Sequence, residues 1–306
     1  MTDQGSTGTH SSAAQASSDG LTHAAPGRDL GREPAGHADA GIGAATAPGE
    51  RHDPAIFPIR LLRFLPRALA VALMVLLGLV LVGTVYPLVR ARGRDLLNRT
   101  WSRCLLRVCG VRLLVQGEPL MQGPVLIVAN HVSWLDIFVI NAVRPTAFVA
   151  KSEIRRWPIV GRLVAGAGTL FLQRGHRHAI HTVGEAMKGR FAQGESVGLF
   201  PEGTTTEGFS LLPFHGSLFE PARQAGVAIQ PVALRFLRHG RRDAFAAFVG
   251  EETLVGNLWR VLGARGLAVE TFYLSPLAAE AGGAGGQTRL EMAANARSRI
   301  QQALGD

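Results

Sequence analysis

Residues 125–136 read VLIVANHVSWLD, a stretch whose pattern decides the fold. Val125 to Ala129 are apolar without alternation, as in a strand buried on both faces of a parallel sheet. Asn130 to Ser133 interrupt the run, and Trp134–Ala142 returns to helical spacing. Strand, short turn and helix are the repeating step of an α/β domain. His131 falls at the carboxyl end of the strand, where open α/β sheets place their ligands. His131 and Asp136 are five apart, about 140° on a helix, so they cannot share a helical face. His131 must instead sit in the turn, with Asp136 in the first or second helical turn reaching back. There the carboxylate fixes the imidazole tautomer and leaves the other ring nitrogen free to take a proton from a hydroxyl. This is a general-base pair without an evident protein nucleophile.

The alternation repeats outward from this stretch. Val111–Val115, Thr146–Ala150, Thr169–Leu172, Val197–Phe200, Ala228–Phe236 and Leu267–Leu274 read as further strands. Ile159–Ala165, His178–Ala192 and Leu218–Ala225 read as helices between them. A Gly-rich link, Gly282 to Gly286, precedes a terminal amphipathic helix, Thr288 to Leu304. The fold class is α/β, with a mixed, largely parallel sheet flanked by helices.

Upstream, Ala68–Val89 carries no charge and is long enough at helical rise to cross roughly 30 Å of hydrocarbon. Residues 1–54, rich in Gly, Ala, Ser, Thr, Pro and Asp with almost no large apolar side chains, cannot offset the entropy of folding and read as a disordered tail. The divisions are a tail at 1–54, a membrane anchor with Arg-rich flanks at 55–95, a catalytic domain at 96–283 and a C-terminal helix at 284–306. The net charge of +9 divides unevenly, with −4 on residues 1–54, +9 on residues 55–115 and +4 on the rest. Ten Arg therefore bracket the apolar run, three before it and seven after. They point to anionic lipid head groups as the partner and place the following domain on the cytoplasmic side, at a bacterial inner membrane, as a single-pass or monotopic protein. Nucleic acid is not expected, since no aromatic-interleaved basic module follows. Cys104 and Cys109 form neither a disulfide framework nor a metal cluster.

Ten His and nine Asp in 306 residues give roughly 0.3 chance occurrences of the His131/Asp136 spacing, so that pair alone is weak. A second turn strengthens it. Phe200-Pro201-Glu202-Gly203-Thr204 also follows an apolar strand, with Pro201 and Gly203 shaping a fixed turn around Glu202.

With these blocks in place, the sequence resembles the glycerolipid acyltransferase family, which includes 1-acyl-sn-glycerol-3-phosphate acyltransferases. Four blocks occur in the family's order between about Leu113 and Phe236. They are Asn130-His131 through Asp136, Gly168 through Arg174, Phe200 through Thr204, and Ile229 through Leu234. The resemblance implies that His131 is the general base and Asp136 its orienting partner, with Lys151, Arg174, Glu202, Gly203 and Thr204 lining the acceptor site. It implies transfer of a fatty acyl group from acyl-CoA or acyl carrier protein to a lysolipid hydroxyl. The acceptor implied first is 1-acylglycerol-3-phosphate, giving phosphatidate; a lyso-ornithine lipid is the alternative. No metal and no cofactor are expected, because a thioester is already activated and transfer needs only hydroxyl deprotonation and oxyanion stabilisation. Many glycerol-phosphate-specific members carry Arg after the Gly-Thr pair, whereas this chain has Thr205, Thr206 and Glu207. The missing clamp leaves room for an acceptor without a phosphate monoester. Two other outcomes compete: hydrolysis of the thioester, which lacks the G-x-S-x-G elbow of a serine hydrolase, and noncatalytic binding of lipid or nucleic acid through the Arg belt.

Overall fold

The computed structural model describes residues 57–173, 177–278 and 287–305. The 1–54 tail, Arg174 and the Gly282–Gly286 link lie outside the described residues. The chain enters through α1 (Phe57–Val80), which continues as a π-helical turn over Leu81–Val85, and then α2 (Ala91–Val108). The α/β body follows as β1 (Val111–Gly117), β2 (Leu126–Ala129), α3 (Leu135–Asn141), β3 (Ala147–Lys151), a 3-10 turn (Ser152–Arg156), α4 (Val160–Gly166), β4 (Leu170–Leu172), α5 (Arg177–Ala192) and β5 (Val197–Leu199). It is completed by a 3-10 turn (Gly216–Phe219), α6 (Glu220–Gln224), β6 (Ile229–Arg238), β7 (Arg241–Arg242), α7 (Leu254–Gly263), β8 (Leu267–Tyr273) and α8 (Arg289–Leu304).

The strands form one sheet in the order β1-β8-β6-β2-β5-β3-β4, with β7 paired to β6. From β6 to β4 all neighbours are parallel, while β8 runs antiparallel to β6 and parallel to β1. All four residues of β2 are buried, because Ile127 and Ala129 pack with α3 in one core while Leu126 and Val128 pack with α5 and α8 in the other. The chain leaving β2 passes through α3 on one face to β3; the chain leaving β5 passes through α6 on the other face to β6. Connections diverge between these two adjacent strands, so a crevice opens at their carboxyl ends. His131 and Glu202 follow those two ends.

The apolar helix starts at Phe57, earlier than the uncharged run, so Arg60, Arg63 and Arg67 lie within the helix and are not a flank outside it. One face of α1, at Phe64, Ala68, Val71 and Met74, packs on the core. Farther along, a Cβ on Gly78 would lie 2.7 Å from the Trp101 ring, and one on Gly166 would lie 2.1 Å from Val82, so glycine is what permits these close approaches. The opposite face, with Leu62, Leu65, Leu69, Leu73 and Leu76, is exposed. The rings of Phe64 and Trp259 of α7 meet at a tilt, 4.4 Å apart, and the Arg67 guanidinium donates to the carbonyls of Leu262 (3.0 Å) and Ala264 (2.8 Å) at the end of α7. A cation is favourable there because the last carbonyls of a helix lack intrahelical partners. Arg94 and Arg103 likewise bond backbone carbonyls, of Tyr86 and Ala142. Part of the Arg collar therefore braces the protein itself.

Two helices, α2 and α7, add to those expected from the sequence. Residue 95 lies inside α2, whose buried stripe of Ser102, Leu105 and Leu106 shares the helix with five Arg. Thr253 caps α7 by accepting the Gly256 N–H at 3.1 Å. The terminal helix opens with a capping box in which Thr288 and Glu291 each satisfy the other's amide.

Candidate active site

The loop after β2 is fixed before any side chain chemistry begins. Asn130 is wholly buried; its side chain donates to Leu234 C=O at 2.9 Å and accepts Leu234 N–H at 2.8 Å, clamping the strand end to β6. Asp136, in the first turn of α3, has 0% exposure. Its Oδ2 lies 2.8 Å from His131 Nδ1 and accepts the backbone N–H of Val132 at 2.7 Å and of Ser133 at 3.0 Å. The carboxylate thus reaches back over the turn, as the five-residue spacing demands, and orders the turn as well as the ring. With Nδ1 engaged, Nε2 is the nitrogen left for a proton transfer. The His131 side chain keeps 22% of its surface open, enough for a substrate hydroxyl to reach it.

The ring is also held by stacking. His131 lies parallel to Phe200 at 4.1 Å, and Phe200 lies parallel to Phe148 at 5.3 Å. Phe148 comes from β3 and Phe200 follows β5, so three elements join in one aromatic column. Neither phenylalanine stood out in the sequence as part of the base; the only signal was the aromatic that opens the Phe200-Pro201-Glu202 block.

Glu202 occupies an unexpected place. It is 4% exposed; Oε1 accepts the N–H of His131 at 2.8 Å, and Oε2 accepts that of Leu212 at 3.0 Å. Burial pushes its carboxyl above the ordinary carboxylate range, and these two amides pull against that shift. The resemblance put Glu202 in the acceptor wall; in the structure its carboxylate is bonded to two backbone amides, one of them that of His131. Gly203 adopts a positive φ of 74°, the left-handed region that glycine enters without a Cβ penalty, and its N–H bonds Phe200 C=O at 3.1 Å. Thr204 and Lys151 are both exposed, Lys151 as the last residue of β3 on the same sheet edge.

The two threonines that stand where an Arg clamp would begin are turned toward protein. Thr205 Oγ1 donates to Phe248 C=O, and Thr206 N–H donates to His131 C=O at 2.8 Å. His131 is therefore held at its N–H by Glu202 and at its C=O by Thr206. The result is a rigid imidazole, oriented by a buried carboxylate and presented at an open strand edge, which suits proton abstraction from an alcohol.

Comparison with known proteins points the same way. A family model described as Acyltransferase matches residues 112–235. The chain is 39% identical over 250 residues to a lyso-ornithine lipid O-acyltransferase of Pseudomonas aeruginosa, covering 79% of this chain and 94% of that one. It is also 39% identical over 161 residues to a 1-acyl-sn-glycerol-3-phosphate acyltransferase of Neisseria gonorrhoeae, covering 52% and 63%. The crystal structure of the 1-acyl-sn-glycerophosphate acyltransferase PlsC from Thermotoga maritima has the same fold, with a TM-score of 0.58 at 22% identity over 81% of this chain and 96% of that one.

Proposed function

The chain belongs to the acyltransferase family, and we propose that it moves a fatty acyl group from a thioester donor to the free hydroxyl of a lysolipid, a lyso-ornithine lipid ahead of lysophosphatidate. His131 Nε2 takes the hydroxyl proton as the oxygen attacks the thioester carbonyl. A tetrahedral oxyanion forms, the C–S bond breaks, and the proton passes from the imidazolium to the departing thiolate. Acyl-CoA and acyl carrier protein supply the same thioester, so either serves this chemistry, and no metal or cofactor is required by it.

The observation that carries the acceptor preference is the inward turn of Thr205. Thr205 is neutral and its hydroxyl proton is committed to Phe248 C=O, so this position offers a terminal phosphate neither a charge nor that donor. The match to the Pseudomonas lyso-ornithine enzyme over 94% of its length supports the same choice. A lysophosphatidate reading rests on Lys151, exposed at the same edge, and on the Neisseria relative.

We propose that α1 lies in the plane of the membrane surface and does not cross it. The helix is fastened to the domain from Phe64 to Val82, a length of about 27 Å. Crossing the bilayer would carry the Arg-bearing α2 toward hydrocarbon at a large cost. Its exposed leucine face can instead sink among lipid chains while Arg side chains of α1 and α2 meet head groups, and the Arg excess supports a reading in which this surface faces the anionic cytoplasmic leaflet.

Offering purified full-length protein lysophosphatidate and lyso-ornithine lipid with one labelled thioester tests the acceptor. The expected kcat/KM favours the lyso-ornithine lipid by at least about tenfold, the scale of one charge-assisted hydrogen bond. A preference of that size for lysophosphatidate would assign the acceptor to it.

A further inference from the structure

Beyond Lys151, the chain does something the catalytic site does not explain. The 3-10 turn Ser152–Arg156 leads into Trp157, Pro158 and Ile159 before α4 begins. Trp157 is 41% exposed and Ile159 48%, although large apolar side chains gain by burial. Arg155, Arg156 and Arg162 around them are exposed as well. With Lys151, four bases stand against the single acid Glu153. The Glu153 carboxyl lies below its ordinary range, first through its own backbone amide and further through Ser152, Arg156 and Lys151.

The backbone is built to hold this shape. Ile159 has φ 67° and ψ −65°, and Val160 N–H donates to Pro158 C=O at 2.7 Å, a γ-turn of the rare, strained hand. A β-branched residue at positive φ is unusual and strain of this kind gathers at functional positions. Trp157 N–H bonds Ile154 C=O, and Gly161 N–H bonds Trp157 C=O, at 3.1 and 3.0 Å. A Cβ on Gly161 would lie 2.3 Å from the Arg155 carbonyl, so the fold-back closes only over glycine. The loop is thus locked with its apolar side chains outward.

Its position relates it to α1. Leu163 lies against Gly78 and Gly166 against Val82, so α4 and α1 run in the same direction. The loop that opens α4 is then level with the turn of α1 before Gly78. We propose that Arg155–Ile159 is a second membrane contact, a wedge whose Trp157 and Ile159 enter the head-group region while Arg155, Arg156 and Arg162 bond anionic lipid phosphates. Indole suits that interface, and guanidinium suits phosphate. Sited directly after Lys151, the wedge fixes the mouth of the acceptor site against the lipid surface. It rests on the reading of α1 as an in-plane helix.

The test places an environment-sensitive fluorophore on single cysteines in full-length protein carrying Cys104→Ser, since Cys109 is buried. Labels go at Ile159→Cys, at Leu69→Cys on the exposed face of α1, and at Gln302→Cys on α8, across the sheet from α1. Vesicles of phosphatidylcholine with phosphatidylglycerol carry nitroxide-labelled lipid as quencher. The labels at 159 and 69 are expected to be quenched and the one at 302 not. Replacing Arg155, Arg156 and Arg162 by Gln is expected to weaken partition into these vesicles on the order of fivefold per residue, with little change for pure phosphatidylcholine. Quenching at 69 without quenching at 159 overturns the wedge and leaves α1 in the membrane. No quenching at either overturns both. A response at 159 to acyl carrier protein without vesicles makes the loop a protein-docking site and also overturns the wedge.

Discussion

Replacing His131 by alanine is expected to lower the rate of acyl transfer by roughly 10²–10⁴-fold, the range of a positioned general base, with little change in thermal midpoint. The reason is local. His131 sends its Nδ1 to Asp136, while Asp136 Oδ2 keeps the Val132 and Ser133 amides without the ring. The turn therefore stays built when the imidazole goes, and what disappears is the acceptor for the hydroxyl proton. Circular dichroism and a melting curve on the same sample separate loss of chemistry from loss of fold. A His131→Ala protein that kept full activity would remove the base from this mechanism.

Glu202→Gln is expected to act on both fold and rate. The carboxylate serves two backbone amides, His131 N–H and Leu212 N–H; a carboxamide can accept from one and must set its own NH₂ against the other. An unsatisfied buried donor costs about 1–3 kcal/mol, so the thermal midpoint falls. Because one of those amides belongs to His131, the base also shifts, and a displacement of about 1 Å is enough to cost on the order of 10² in kcat. The split between kinetic constants decides its role. A strut lowers kcat with KM nearly unchanged, whereas a residue lining the acceptor wall would raise KM. A raised KM with an unaltered melting curve would return Glu202 to the acceptor site.

What could be read in the sequence was local. The uninterrupted run Val125–Ala129 announced a central strand, and the five-residue spacing of His131 and Asp136 required the carboxylate to reach back, which it does. The element order β2, α3, β3, α4, β4, α5, β5 followed from alternating apolar stretches a few residues long. What could not be read depends on contacts distant in the chain. Glu202 looks like a turn acid offered to solvent until His131, far upstream, and Leu212, downstream, are seen to share its oxygens. Phe148 looks like ordinary core until Phe200 stacks between it and the imidazole. The α2 helix was hidden because Arg residues are scattered along its whole length, and Arg67 looked like a membrane flank because nothing local shows that its guanidinium turns to the carbonyls ending α7.

The preference for a hydroxyl over water is tested most directly by following thiol release from a labelled acyl thioester with purified protein, with and without a lysolipid acceptor, and weighing the products. A base that serves a bound lysolipid releases thiol in step with a new ester on that lipid and scarcely any thiol in its absence. Equal thiol release without acceptor, with free fatty acid as the product, would make the protein a thioester hydrolase and contradict the account.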